Sequence, residues 1–183
     1  MFSRSKRPAL KVLEQRLKFM TSNSFAKYSA AAVLMLSFST HAFGQHQMKL
    51  KFGTWKLNVQ KSQFPAGGEP QSDTRVYEDR GGGVIMSTHT TVSHQGKESL
   101  TIYAAKFDGK EYPVVTRGSA ALSTIAFHAI GRYSESFLLT REGKVGVRGT
   151  TSISKDGKTM TMGMDLTDGK GQTQHVIDIY EKQ

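Results

Sequence analysis

A polar residue followed by Gly-Lys recurs five times in the second half of this chain, at Gln95-Gly96-Lys97, Asp108-Gly109-Lys110, Glu142-Gly143-Lys144, Asp156-Gly157-Lys158 and Asp168-Gly169-Lys170. Asp-Gly between two alternating runs is a hairpin signal, because both residues tolerate the positive φ of the turns that join twisted antiparallel strands. Gln-Gly and Glu-Gly are weaker forms of the same signal. The chain therefore reads as a meander. Ten strand candidates fall at about 50–58, 71–79, 83–94, 97–107, 110–116, 122–130, 132–140, 144–154, 158–167 and 172–181.

Several of these runs alternate with period two, the mark of strands half buried in an antiparallel sheet. Met160, Met162, Met164 and Leu166 share a face opposite Thr159, Thr161 and Asp165. Val84, Met86 and Val92 alternate with Ser87, His89 and Ser93; Ile125 and Phe127 share a face, as do Val145 and Val147. The long irregular stretch from Gln60 to Pro70 holds Pro65, Gly67, Gly68 and Pro70 and reads as a loop, not a pair of helices. Gly81-Gly82-Gly83 has no helical pattern after it to make a phosphate cradle, so it reads as a hairpin tip. Tight turns between so many strands favour closure, which removes exposed edges. The expectation is an all-β, ten-stranded, antiparallel up-and-down barrel over 45–183.

Residues 1–44 read differently. Lys27 precedes the apolar run Tyr28–Phe38, and Thr40-His41-Ala42-Phe43-Gly44 offers small residues at signal-peptidase spacing. The run falls short of the ~20 apolar residues a membrane span needs, so a cleaved secretory leader is expected, cut after Ala42 or Gly44. Met20 would open a signal of ordinary length, making 1–19 an overextended start. The mature chain would then carry no membrane span and lie in the periplasm or outside the cell.

The net charge of +10 is largely a property of this segment, which holds seven basic residues and one acid. Without it, 18 basic face 14 acidic side chains, a net +4, scattered rather than striped. No nucleic-acid partner is expected from that pattern. The absence of cysteine excludes disulfide staples and thiol chemistry, so stability must come from the core.

At the first strand, Phe52-Gly53-Thr54-Trp55-Lys56-Leu57 with Phe64 resembles the opening of the lipocalin and fatty-acid-binding-protein (calycin-type) superfamily, where Gly-x-Trp starts the barrel. The resemblance implies structural roles for Gly53 and Trp55, the Trp plugging the closed end. Lys182 or Arg148 would supply the cation that caps such a Trp. Ile179-Tyr180-Glu181-Lys182 is similar to the terminal strand of fatty-acid-binding proteins. Gly-Thr-Trp-Lys-Leu-Asn, Lys61-Ser62-x-Phe64 and Asp-Gly-Lys with Tyr112-Pro113-Val114 resemble a group of small exported bacterial proteins of unassigned function. Fatty-acid-binding proteins grip the ligand carboxylate with an Arg two positions before the terminal Tyr; here that position is Asp178, which would repel a fatty acid unless protonated or paired.

No nucleophile elbow, zinc-protease motif, P-loop or dinucleotide fingerprint is present, so no enzyme and no cofactor is expected. The interior chemistry turns on the last hairpin. A two-residue turn at Asp168-Gly169 puts Met162 opposite His175, Met160 opposite Ile177 and Met164 opposite Thr173. Thioethers with an imidazole suit Cu(I), but Met is more often a gap-filler, and no metal is expected. A three-residue turn at 168–170 would instead place Val176, Asp178 and Tyr180 with the methionines. The superfamily resemblance prefers that second register, with Tyr180 inside. The hydrophobic pattern prefers the first, because an unpaired Asp178 is costly to bury. The first is the expectation.

The candidate pocket lining is Met86, Tyr103, Phe127, Met160, Met162 and Met164. His175, Ile177 and Tyr180 from the last strand complete the candidate set. The expected function is an exported, non-enzymatic barrel holding a small hydrophobic ligand. The alternative is a solid barrel that binds a partner through its surface, at the Gln60–Pro70 loop or the Arg117–Ser123 segment.

Overall fold

The computed structural model describes residues 49–183; the expected leader and its cleavage sites lie outside the described residues, as does His46. Ten strands follow in order: β1 (Gly53–Leu57), β2 (Ser72–Asp79), β3 (Ile85–Val92), β4 (Glu98–Ala105), β5 (Tyr112–Thr116), β6 (Ser123–Gly131), β7 (Ser134–Arg141), β8 (Lys144–Ile153), β9 (Thr159–Thr167) and β10 (Thr173–Lys182). Each pairs antiparallel with its sequence neighbours, and β10 returns to β1 to close the barrel. Helix among the described residues is limited to a turn at 49–51 and a 3-10 turn at Val59–Lys61, capped by the Asn58 side chain. The β1–β2 connection is thus a loop, as its Pro and Gly content dictates.

The two ends of the barrel differ. The closed end is filled by Trp55, Tyr77, Ile85, Ala105, Phe127, Ile153, Met160 and Tyr180, all buried. Trp55 donates from Nε1 to the Lys51 carbonyl at 2.7 Å, and Lys182 Nζ lies 5.1 Å from the Trp55 ring while donating to the Leu50 carbonyl. Lys182 is therefore the cation over the Trp; Arg148 is exposed on the opposite side of the sheet from the core. Lys51 reaches back into the barrel to pair with Glu135, both fully buried, with its ammonium over the rings of Tyr77, Phe107 and Phe127 at 4.6, 5.5 and 5.0 Å.

The turns explain the register. Glu142 and Gly143 both have positive φ, 50° and 75°, and form a two-residue hairpin between Arg141 and Lys144. Other hairpins use a longer design. In the β3–β4 turn, the Ser93 N–H bonds the Lys97 carbonyl, the Gly96 N–H bonds the Ser93 carbonyl, and Gly96 takes φ 78°. The last hairpin repeats this frame with Asp168, Gly171 and Gln172 in place of Ser93, Gly96 and Lys97. The left-handed residue is Gly171 (φ 81°), not Gly169, and Asp168 Oδ1 accepts from the backbone N–H groups of Lys170 and Gln172. The loop is residues 169–171.

That placement overturns the expected two-residue turn. Thr167 pairs with Thr173, Met164 with Val176, Met162 with Asp178 and Met160 with Tyr180. Val176, Asp178 and Tyr180 face inward with the methionines, and His175, Ile177 and Ile179 face out. The parity is that of the rejected alternative, although the loop starts one residue later than that alternative placed it. A second parity correction falls in β8. Val147 pairs with Leu139 but Val145 with Thr140, because a bulge at Gly146 turns the two valines to opposite faces.

Two predictions test this description. Gly171→Ala forces a side chain into the left-handed region and should lower stability by about 1–2 kcal/mol. Gly169→Ala, at a glycine without positive φ and with open space around its Cβ, should be neutral or slightly stabilising in the same urea titration. The two-residue turn predicts the reverse ranking. At the closed end, Glu135→Leu strands a buried ammonium and should cost about 3–5 kcal/mol, and the Lys51→Met/Glu135→Leu pair should recover most of that loss.

A polar-walled cavity as the candidate functional site

Inward-facing side chains do not fill the upper half of the barrel. They leave a cavity of about 290 Å³, roughly twice the ~150 Å³ space that accepts benzene in a protein core. One wall is hydrocarbon and aromatic: Val114, Ile125, Phe127, Phe137, Leu139, Val147, Met162, Met164 and Leu166. Phe127 is its centre, with ring centroids 5.7, 5.4 and 6.1 Å from those of Tyr103, Phe107 and Phe137. Phe137 can lean across because Gly149 lies beneath it; a Cβ there would sit 2.4 Å from the ring.

A polar wall comes from β2, β3 and β4 (Arg75, His89, Ser99 and Thr101) and continues to Thr116 on β5, while Lys51, Ser123, Arg141 and Thr151 add polar groups elsewhere in the lining. Period two on β2 sends Asp73, Arg75 and Tyr77 inward together, and pairing sets Arg75 opposite His89 and Asp73 opposite Thr91. Arg75 Nε donates to the Tyr180 hydroxyl at 2.8 Å and lies 3.7 Å from Asp73 Oδ1. Asp73 Oδ2 takes His89 Nε2 at 2.5 Å and the Thr91 hydroxyl at 3.0 Å. The Tyr180 hydroxyl donates in turn to Asp178 Oδ2 at 3.3 Å. One guanidinium, two carboxylates and an imidazole are thus tied together inside the barrel.

Their protonation follows from these contacts. Burial raises the Asp73 pKa, but the Arg75 charge and the hydrogen bonds from His89 and Thr91 outweigh it and hold Asp73 below its ordinary value. Burial, then the Arg75 charge, lowers His89, against the opposing pull of Asp73. Neutral His89 must place its proton on Nε2, since Asp73 only accepts there. Burial pushes Asp178 up to about 6; Arg75 opposes the shift and Asp73 adds to it.

Of the residues singled out from sequence, Tyr103, Phe127, Met162 and Met164 line this cavity, while Met160 and Tyr180 point inward, toward the closed end. Three do not reach the interior. Met86 faces outward, because Ile85 and Ser87 hold the inner face, and its sulfur lies 3.1 Å from Arg80 Nη2. His175 is exposed, with Nδ1 2.8 Å from Asp165 Oδ1. Ile177 pairs outward with Gly163 and bridges to Gln63. The His175 imidazole and the β9 thioethers therefore lie on opposite faces and do not converge. Among the described residues no group of three or more His, Cys, Asp or Glu side chains could hold a metal ion.

The polar wall was missed from sequence. Its signal is the repeat Asp73-x-Arg75-x-Tyr77 facing His89-x-Thr91, charged and polar groups at every second position of two adjacent strands. A second pocket of about 480 Å³ lies at the mouth under the Phe64–Pro70 loop. It shares Met164 and Leu166 with the interior cavity and has Asp178 in its wall.

No family model and no curated protein matches the chain. Among solved structures it is similar to EF1p2_mFAP2b bound to DFHBI, at 7% identity and a TM-score of 0.49, over 76% of this chain and 99% of that one.

The raised Asp178 pKa sets a pH dependence. A carboxyl raised on folding contributes stability fully below its unfolded pKa of 3.8, and that contribution is lost as pH rises through about 6. Asp178→Asn should therefore be more stable than the parent at pH 7.5, by up to about 3 kcal/mol. The difference should vanish below pH 4. Urea midpoints at the two pH values measure it.

Proposed function

We propose that this barrel binds one small, mainly apolar molecule in its interior. The observation that carries this reading is the cavity itself: about 290 Å³, enclosed by Phe127, Phe137, Leu139, Val147, Met162 and Met164 on one side and by hydrogen-bonding groups on the other. Ligand pockets combine a mostly apolar lining with a few placed polar groups. A barrel of this size either packs its interior or holds one ligand. Binding rather than turnover is the reading, because most of the surface a ligand would touch is hydrocarbon. The leader-like run before residue 45 extends the proposal to an exported carrier, working in the periplasm or outside the cell.

A surface that docks a partner is the second reading. Its support is the apolar exposure of Leu122 (83%) and Val115 (66%) near the β5–β6 turn.

The test is titration with N-phenyl-1-naphthylamine, a neutral probe that brightens in apolar surroundings. One saturable site is expected. Met162→Trp, which fills the cavity, should weaken binding by about tenfold or more, roughly 1.4 kcal/mol, while the outward-facing Ile177→Ala leaves it unchanged. Equal binding by parent and Met162→Trp, with both folded, sinks the interior site. Loss on Leu122→Ser instead would move the probe, and the function, to the surface.

A further inference from the structure

The polar wall has a composition that a simple anion site would not have. The Arg75 guanidinium is always charged, and of its donors only Nε is engaged, with Tyr180. The terminal amino groups make no hydrogen bond among the described residues, and Arg75 lines the cavity. Next to it, His89 also lines the cavity. Its Nε2–H is taken by Asp73, which leaves Nδ1 as an unprotonated acceptor. Donor and acceptor sit on paired residues of adjacent strands, Arg75 opposite His89, the spacing at which neighbouring side chains act together.

The surrounding charge limits what such a pair accepts. Arg75 already has Asp73 3.7 Å from Nε, and Asp178 joins through Tyr180. Asp73 Oδ1 and Asp178 Oδ1 are buried without a hydrogen-bond partner. At Arg75 a ligand carboxylate would join Asp73 and Asp178 around one guanidinium; of the other cations in the lining, Lys51 is already paired with Glu135 and Arg141 is exposed. A ligand ammonium would lie against the guanidinium fork. Either ion would leave its hydration shell to meet a neighbour of its own sign.

We infer that the Arg75–His89 wall is a head-group subsite for a neutral ligand end that accepts from Arg75 and donates to His89 Nδ1, such as a primary amide or a hydroxyl, and that it discriminates against carboxylates. The inference rests on the proposed ligand occupying the interior cavity. Asp73 acts here as a positioning residue: it fixes the imidazole tautomer and does not touch the ligand.

A matched series on the full chain tests it by calorimetry at pH 7.5, using naphthalene, 2-naphthamide, 2-naphthoate and 2-naphthylmethylamine. The amide is expected to bind about tenfold or more tightly than the naphthoate and the amine, because a site built to pair a donor and acceptor rejects ligands that leave them unpaired. His89→Leu should abolish the advantage of the amide over naphthalene, read as the ratio of the two affinities in the same variant. If that variant does not fold, the series on the parent chain still decides. Naphthoate as the tightest ligand, or all four bound equally, overturns the head-group inference and leaves the cavity reading standing. No binding of any member, naphthalene included, overturns the cavity reading and the inference with it.

Discussion

Holding Arg75 inside the barrel is the demand around which the interior is arranged. A guanidinium cannot shed its charge when buried, so it must be met by acceptors or remain a heavy cost. The fold meets it from two strands. Asp73 comes from the same strand two residues away, and Tyr180 from β10 across the intervening β1. Asp178, two residues before Tyr180, lies in reach of the same charge. Each compensating group needs compensation in turn, which His89 and Thr91 give to Asp73 and the Tyr180 hydroxyl gives to Asp178.

That network also divides the barrel lengthwise. Below it, Trp55, Tyr77, Tyr180 and Met160 are buried, and the Lys51 ammonium of the Lys51–Glu135 pair lies over three aromatic rings. Above it, the inward positions shift to smaller side chains on β3, β4 and β5: Thr91, Ser99, Thr101 and Thr116. Side-chain volume falls along the barrel axis, so the cavity forms where serine and threonine replace tyrosine and isoleucine. Polar character and empty space have the same origin.

The strand order was legible because turns are local. Glu142-Gly143 needs only its own backbone to specify a hairpin, and each strand found its neighbour through a signal of a few residues. Parity was less legible. β10 carries apolar groups on both faces, Val176 and Tyr180 inside with Ile177 and Ile179 outside, so period two alone does not orient it. Asp168-Gly169-Lys170-Gly171 offers two glycines, and the familiar Asp-Gly is the one that does not take positive φ. The objection to burying Asp178 was sound, since burial raises its pKa to about 6. The Asp168–Gln172 turn nonetheless sets the register. The Tyr180 hydroxyl, and the Arg75 charge brought near only after closure, offset part of the cost. Long-range compensation of this kind leaves no local mark, and for the same reason His89 went unrecognised while the exposed His175 drew notice.

The barrel closes through a short stretch of pairing. β1 is five residues long and pairs with β10 only from Trp55 to Leu57. Beyond Leu57 the chain departs into the Asn58–Ser62 turn and returns to β10 for one bridge, Gln63 with Ile177. The upper part of the β10–β2 seam therefore lacks a full strand, and the Phe64–Pro70 loop lies there instead, over the pocket at the mouth. That pocket meets the interior cavity at Met164 and Leu166, and Asp178 stands in its wall. The short first strand thus leaves the Phe64–Pro70 loop to cover the barrel where a full strand would have run, with Asp178 beneath it.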